Sequence, residues 1–115
     1  MHPDYRAVTL VRLLAHRAGT WSDLAAHAAE LAAIPEDAPV EVQRALVAEA
    51  VLTTAPELPP GTATAYSNAG YVIAGAILEA LDHQPWEALI AARLFAPLGM
   101  TSCGFGPPGL AAPDA

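Results

Sequence analysis

Prolines set the strongest limit on what this chain can fold into, because eleven of its 115 residues are proline. A proline has no backbone N–H, so it is disfavoured inside helices and central strands and marks where an element begins or ends. Between the prolines, apolar residues recur every three or four positions, which predicts helices. Five helices are predicted, over residues 10–17, 23–34, 40–51, 69–82 and 86–96. The sequence therefore predicts a mainly α-helical fold.

The longest break between these helices is residues 53–62, TTAPELPPGT, where three prolines and a glycine exclude regular structure. One or two short extended pieces are predicted near residues 62–66. Hydroxyl and amide side chains can accept hydrogen bonds from the first free N–H groups of a helix. We therefore expect Thr9 to cap the first helix, Ser22 the second, and Ser67 or Asn68 the fourth.

The predicted buried faces consist of apolar residues at helical spacing: Leu10, Leu13, Leu14, Leu24, Ala28, Leu31, Val42, Leu46 and Val47. Trp21 and Trp86 each flank a helix start and are expected to be packing anchors. His16 has no second metal ligand three or four residues later, which favours a structural histidine bonded within its loop over a metal ligand. His27 and His83 are expected on the surface.

Charge and hydropathy argue against two classes of partner. The formal net charge is −7 and the five basic residues, all arginine, are scattered, whereas nucleic-acid binding needs a concentrated positive surface. The longest apolar run, residues 71–81, contains Glu79 and is too short to span a bilayer. Cys103 is the single cysteine, so no disulfide can form within the chain, and we expect it to be a buried or half-buried apolar residue. The sequence assigns no localisation.

Tyr66 and Asn68 are two polar residues that open an apolar, glycine-containing segment. Extended backbone directs residues i and i+2 to the same side, so both side chains can face one cleft while Ser67 points elsewhere. An asparagine carries a donor and an acceptor, which suits holding a substrate amide and a neighbouring ammonium. The alternative is that Asn68 only caps a helix and Tyr66 is a half-buried aromatic residue.

Two segments carry a resemblance to a known family. Residues 59–105, PPGTATAYSNAGYVIAGAILEALDHQPWEALIAARLFAPLGMTSCGF, and residues 8–20, VTLVRLLAHRAGT, resemble the serine β-lactamase-like superfamily. This superfamily groups class C β-lactamases, penicillin-binding D-Ala-D-Ala carboxypeptidases, D-aminopeptidases and related esterases. The matching elements are Thr9, Leu13, Leu14, His16, Gly19, Pro60-Gly61, Tyr66-Ser67-Asn68, Gly70-Tyr71 and residues 75–79 and 97–101.

The resemblance implies a fold and a site. The fold would be a fragment of the β-lactamase/transpeptidase-like α+β fold, namely its mainly helical subdomain. By analogy, Tyr66 is the catalytic residue that moves the proton of a nucleophilic serine and returns it to the leaving group. Asn68 is the substrate-binding residue and also orients a lysine. The resemblance implies no organic cofactor and no metal.

Two other catalytic motifs of the family are missing. Its serine and lysine come from Ser-x-x-Lys, and part of its oxyanion stabilisation comes from Lys- or His-x-Gly. The chain has no lysine, and the residues two after each histidine are Asp4, Ala18, Ala29 and Pro85. The sequence also departs from the family pattern at Arg17-Ala18, where Thr-Ser is usual, and at residues 82–84, where a glycine is usual.

We therefore expect an internal piece of a serine hydrolase that is inactive by itself. Residues 1–105 would be a partial domain without the nucleophile helix and the C-terminal sheet, and residues 106–115 a flexible tail. The parent protein is expected to act on a small amide or ester substrate through an acyl-enzyme. Two alternatives stay open: a helical interaction module derived from such an enzyme, and a chain that works after joining complementary segments.

Overall fold

The computed structural model describes residues 1–106, which are helical and contain no strand. The α-helices are α1 (Leu10–Leu14), α2 (Ala28–Leu31), α3 (Val40–Thr53), α4 (Asn68–Asp82) and α5 (Trp86–Ile90). Single 3-10 helices cover Pro3–Tyr5 and Leu24–His27, and a π-helical turn, Ala91–Phe95, follows α5. The prediction of a mainly α-helical fold is confirmed, and residues 63–67 before α4 have no regular structure.

The chain forms two compact units that divide between His83 and Gln84. The first contains α1 to α4, and the second contains α5 and the π-helical turn. The expected partial domain over residues 1–105 stays a prediction. The expected flexible tail, residues 106–115, lies outside the described residues from position 107 onward.

The core of the first unit forms where α3 and α1 pack against α4. Its buried residues come from all three helices and from the loop after α1: Leu13, Ala18, Trp21, Ala48, Val51, Ala69 and Ile73. Trp21 is 1 % exposed, and its indole Nε1 donates a hydrogen bond of 3.0 Å to Thr54 Oγ1. This buried, hydrogen-bonded indole confirms Trp21 as a packing anchor.

Small residues on α4 allow its neighbours to approach closely. A Cβ added at Gly70 would lie 2.9 Å from the carbonyl oxygen of Leu13, so a larger residue would push α1 away from α4. At Gly75 the neighbour is the side chain of Arg44 on α3, not a backbone. Arg44 extends over Gly75 and forms an ion pair with Glu79, one turn further along α4.

Several predicted core positions are wrong. In α1, Leu13 is buried but Leu10 and Leu14 are exposed. The helix has five residues, and Leu13 is the one that it buries. In α3, the buried residues are Ala48 and Val51, whereas Val42 is exposed and Leu46 and Val47 are partly buried. Ala28 is exposed, while Leu24 and Leu31 pack at the edge of the core. In α2 and α3, alanines at several positions let more than one helix face satisfy the same spacing rule.

The segment after Trp21 also differs from its prediction. Asp23, not Ser22, caps the Leu24–His27 turn, with its carboxylate accepting from the Ala25 N–H at 2.9 Å. His27 is partly buried and not a free surface residue, since its ring stacks on Trp21 with centroids 3.8 Å apart. Its two ring nitrogens lie 3.4 Å from carboxylate oxygens of Glu30 and Glu57.

The second unit is organised by aromatic contacts. The Phe105 ring lies 5.6 Å from that of Trp86 and 5.5 Å from that of Phe95. Pro85 is the N-cap residue of α5, where its missing N–H removes no hydrogen bond of the helix. Cys103 is exposed, which corrects the expectation of burial.

In the part of the chain that is described, no helix combines the length and hydropathy needed to cross a membrane.

Candidate active-site segment

The candidate site lies where the irregular segment 63–67 enters α4. Ser67 has an extended backbone, with φ −150° and ψ 115°, and α4 begins at the next residue. The side chains on either side of Ser67 therefore point the same way, as the alternation of extended backbone requires. Tyr66 and Asn68 are both exposed at the start of the helix, and Ser67 is buried.

Tyr66 and Asn68 form a hydrogen-bonded pair. The Tyr66 hydroxyl donates to Asn68 Oδ1 at 3.0 Å, and the Tyr66 side chain is 66 % exposed. Because the amide oxygen of Asn68 accepts the phenol hydrogen, its two N–H donors remain for another partner. The structure thus brings together the two residues that the sequence singled out, and their catalytic and substrate-binding roles stay predictions.

Ser67 caps α4 and is fully engaged in the interior. Its side chain is 1 % exposed, donates to the carbonyl of Trp21 at 2.7 Å and accepts from the N–H of Gly70 at 3.2 Å. A hydroxyl has one hydrogen, so the remaining contact, 2.8 Å from Thr20 Oγ1, must be one in which Thr20 donates. Of the two caps predicted for α4, Ser67 is the correct one.

His16 lies beside this segment, in the turn that follows α1. Its Nδ1 accepts the backbone N–H of Ser67 at 3.1 Å, so His16 has the structural role that was predicted, but its ring bonds to a segment 51 positions away and not within its own loop. The His16 ring is 4.7 Å from the ring of Tyr66 and 5.4 Å from that of Tyr71, centroid to centroid. Tyr71 in turn donates from its hydroxyl to the carbonyl of Leu14 at 3.1 Å.

Backbone pairing joins the turn after α1 to residues 57–65. The N–H of Glu57 donates to the carbonyl of Gly19 at 2.9 Å, and that of Gly61 to the carbonyl of Arg17 at 2.8 Å. The guanidinium of Arg17 also donates a hydrogen bond to the carbonyl of Gly61 at 2.7 Å. Arg17 and Ala18, which depart from the family pattern, therefore have structural roles here: the first clamps the loop and the second is buried in the core.

Gly19 is required at this junction for a steric reason. It has φ +71°, and a Cβ there would lie 2.0 Å from the carbonyl oxygen of Leu58. Only glycine allows the loop to pass so close to residues 56–58. Among residues 1–106, no group of three or more His, Cys, Asp or Glu side chains is arranged to hold a metal ion.

The sequence did not reveal two features of the site. The contact of the His16 ring with Tyr66 accompanies a left-handed backbone at His16, φ 56°, at a position where the sequence predicted that the first helix continues to residue 17. The Tyr71–Leu14 bond joins residues 57 positions apart and depends on how α1 meets α4. The five-residue spacing of Tyr66 and Tyr71 was the available signal, but it does not distinguish a shared surface from separate ones.

Comparison with known proteins identifies the class of protein. The model of the Beta-lactamase family matches residues 2–114, and the chain belongs to this family. It is similar to "Penicillin-binding protein 4" of Amycolatopsis lactamdurans, with 33 % identity over 95 residues. That alignment covers 83 % of this chain but 23 % of the relative, so the chain spans less than a quarter of the curated relative that it matches. No solved structure matches the chain.

Proposed function

We propose that this chain supplies the tyrosine–asparagine part of the acyl-transfer site of a serine hydrolase, with Tyr66 as the proton-transfer residue. The observation that carries the proposal is the 3.0 Å hydrogen bond between the exposed Tyr66 hydroxyl and Asn68 Oδ1. Proton transfer requires that the phenol come within hydrogen-bond reach of the reacting group, and an exposed phenol is open to such contact. Membership of the Beta-lactamase family supports acyl transfer as the reaction class.

Asn68 is the substrate-binding residue in this proposal. Its Oδ1 holds the phenol hydrogen, and its side-chain N–H groups have no hydrogen bond within the described residues. These donors suit the carbonyl oxygen of an amide or ester. The pair would therefore hold the substrate carbonyl and the proton-transfer oxygen in a fixed relation, which is how positioning contributes to rate.

The nucleophilic serine lies outside these 115 residues in our proposal, so the chain by itself is inactive. A serine becomes a nucleophile when a neighbouring base, such as a lysine amine, takes its proton, and this chain has no lysine. Ser67 is not a substitute, because its hydroxyl hydrogen is donated to the buried carbonyl of Trp21. The domain becomes competent for acyl transfer when segments carrying the nucleophile join it.

The test is the change Tyr66→Phe in the full-length protein, which removes one oxygen and keeps the ring. General acid–base catalysis by one side chain contributes about 10²- to 10⁴-fold, so turnover of an amide or ester should fall by about that factor. A fluorescent penicillin is a suitable acylating probe, because a relative of this chain carries the name penicillin-binding protein.

Tyr5→Phe is the matched control, because it removes the same atom from a buried side chain whose hydroxyl has no hydrogen-bond partner in residues 1–106. It should leave turnover within about twofold of the unaltered protein. Near-normal acylation and turnover in Tyr66→Phe would rule out the proton-transfer role. Comparable losses in both variants would point to a folding defect instead.

The exposed apolar surface of the first unit favours a second proposal, assembly with complementary segments. Leu10, Val11 and Leu14, which lie together on α1, are 43 %, 74 % and 41 % exposed. Apolar patches of this kind mark surfaces that bind another protein segment. A hydrophobic dye should bind the chain and be displaced when the remaining segments of the domain are added. Dye binding that those segments leave unchanged would contradict assembly.

A further inference from the structure

His16 is one of two residues other than glycine that have a left-handed backbone in the described part of the chain. Its φ is 56°, a conformation that side chains with a Cβ adopt rarely and that needs support from surrounding contacts. The other such residue, His83, is exposed and ends α4, where a left-handed residue is common. His16 also ends a helix, since it follows the C-cap Ala15 of α1, and the bonds from the Arg17 N–H to the Arg12 carbonyl at 2.8 Å and from the His16 N–H to the Leu13 carbonyl at 3.2 Å form a Schellman motif around it.

The hydrogen bonds of His16 hold the two residues that flank Tyr66. The backbone carbonyl of His16 accepts the N–H of Ala65 at 2.9 Å, and its ring Nδ1 accepts the N–H of Ser67 at 3.1 Å. One residue therefore fixes the backbone immediately before and immediately after Tyr66. The carbonyl and the ring of His16 thus both bind the irregular segment 63–67.

The ring of His16 supplies a third contact, against Tyr66 itself. The two centroids are 4.7 Å apart with an interplanar angle of 38°, within the range of favourable aromatic contact. Because Nδ1 accepts a hydrogen bond, the ring is the neutral tautomer with its hydrogen on Nε2. Tyr71 is a second aromatic neighbour of the His16 ring, with centroids 5.4 Å apart, and its hydroxyl is bonded to the carbonyl of Leu14.

We propose that His16 is a positioning residue for Tyr66, which it holds through the backbone on both sides and through the ring, so that the phenol oxygen stays on Asn68. The catalytic consequence rests on the function proposed above for Tyr66, whereas the positioning itself does not. The contacts that carry the proposal are those of the His16 ring with Tyr66, with Tyr71 and with the N–H of Ser67.

Two substitutions separate the contributions of His16. His16→Asn keeps an acceptor bonded to Cγ, where Nδ1 is in histidine, and asparagine tolerates the left-handed backbone, but the ring is lost. His16→Phe keeps a ring and loses the acceptor. The matched control is His83→Asn, the same substitution at a left-handed residue with φ 54° at the far end of α4.

Positioning is measured by NMR in the 115-residue chain, without any need for activity. In the unaltered chain, the nitrogen shifts of His16 should report an unprotonated Nδ1 and a protonated Nε2. The Ser67 amide should exchange at least about tenfold faster in His16→Phe and stay within about threefold in His16→Asn, since one hydrogen bond is lost in the first and replaced in the second. The Tyr66 ring resonances should move in His16→Asn and stay in His83→Asn.

The catalytic consequence is measured in the full-length protein. Displacement of Tyr66 should lower kcat by about 10- to 100-fold with little change in KM, since misplacing a catalytic group costs rate more than binding. His16→Asn should retain more activity than His16→Phe, because it still holds Ser67. If His16→Phe does not fold, the Tyr66 resonances and kcat of His16→Asn decide the question.

Unchanged Tyr66 resonances in His16→Asn together with a slow Ser67 amide in His16→Phe would overturn the positioning role. Failure of the proposed function has a different signature, since Tyr66→Phe would then retain full turnover while the NMR changes still occur. A fall in kcat for His16→Asn that equals the fall for His83→Asn would also contradict the proposal.

Discussion

Removal of the Ser67 hydroxyl should destabilise the first turn of α4, and it removes no group to which we assign a catalytic role. Ser67→Ala deletes the cap of the Gly70 N–H, which costs about 1 kcal/mol at a helix start. It also leaves the buried carbonyl of Trp21 and the buried hydroxyl of Thr20 without this partner, and one orphaned buried group costs about 1–3 kcal/mol. Even if only one of these two groups stays without a partner, the opening free energy of the segment should fall by about 2–4 kcal/mol.

Native-state hydrogen exchange measures this opening free energy directly, because amide protection reports local as well as global unfolding. At about 1.4 kcal/mol per factor of ten, the Gly70 amide should exchange roughly 30- to 700-fold faster in Ser67→Ala. Ser102→Ala is the control, since Ser102 is exposed and lies in the second unit. Protection within about threefold of the unaltered chain would refute the network of three hydrogen bonds around Ser67.

Two further predictions concern packing and burial. Gly70→Ala should destabilise the first unit, because its Cβ would lie 2.9 Å from the Leu13 carbonyl oxygen. Overpacking of this kind costs about 1–3 kcal/mol, against a gain in helix propensity of about 1 kcal/mol. Urea denaturation measures the change, with Gly104→Ala as the control, and a higher free energy of unfolding in Gly70→Ala would contradict the prediction. Tyr5→Phe should be neutral or stabilising at pH 7, because the buried Tyr5 hydroxyl has no partner in residues 1–106. Burial, with the nearby charges of Glu57 and Asp4, raises the pKa of Tyr5 to about 12, so the neutral phenol is favoured in the folded state. The contribution of the neutral phenol to the free energy of unfolding is present below pH 10 and is lost as the pH rises from about 10 to 12. Unfolding followed by circular dichroism at a series of pH values should show a smaller loss of stability over this range in Tyr5→Phe than in the unaltered chain.

The sequence predicted the helices well where caps and prolines coincide. Thr9 caps α1, and α3 begins directly after Pro39 and runs over the predicted span. The geometry of Tyr66 and Asn68 was also predictable, since it depends only on the alternation of extended backbone over three residues. These features are local, so neighbouring residues contain the information that determines them.

The parts that could not be predicted depend on contacts distant in sequence. Which alanine or valine of α3 is buried depends on the crossing with α4, where Arg44 lies over Gly75. The support of Tyr66 by His16 joins residues 50 positions apart and accompanies a left-handed backbone at a residue that is not glycine. The spacing of residues in the sequence determines neither how two helices cross nor the conformation of a loop that is held by packing.

The most direct test of the central claim, that Tyr66 and Asn68 belong to the acyl-transfer site of a longer serine hydrolase, is one intact-mass measurement. The native product is incubated with a serine-reactive phosphonate, captured with an antibody against residues 62–75 and weighed by mass spectrometry. Our account predicts a mass well above the 11.9 kDa of this chain, increased by one phosphonyl group. A product of 11.9 kDa that carries no phosphonyl group would contradict it.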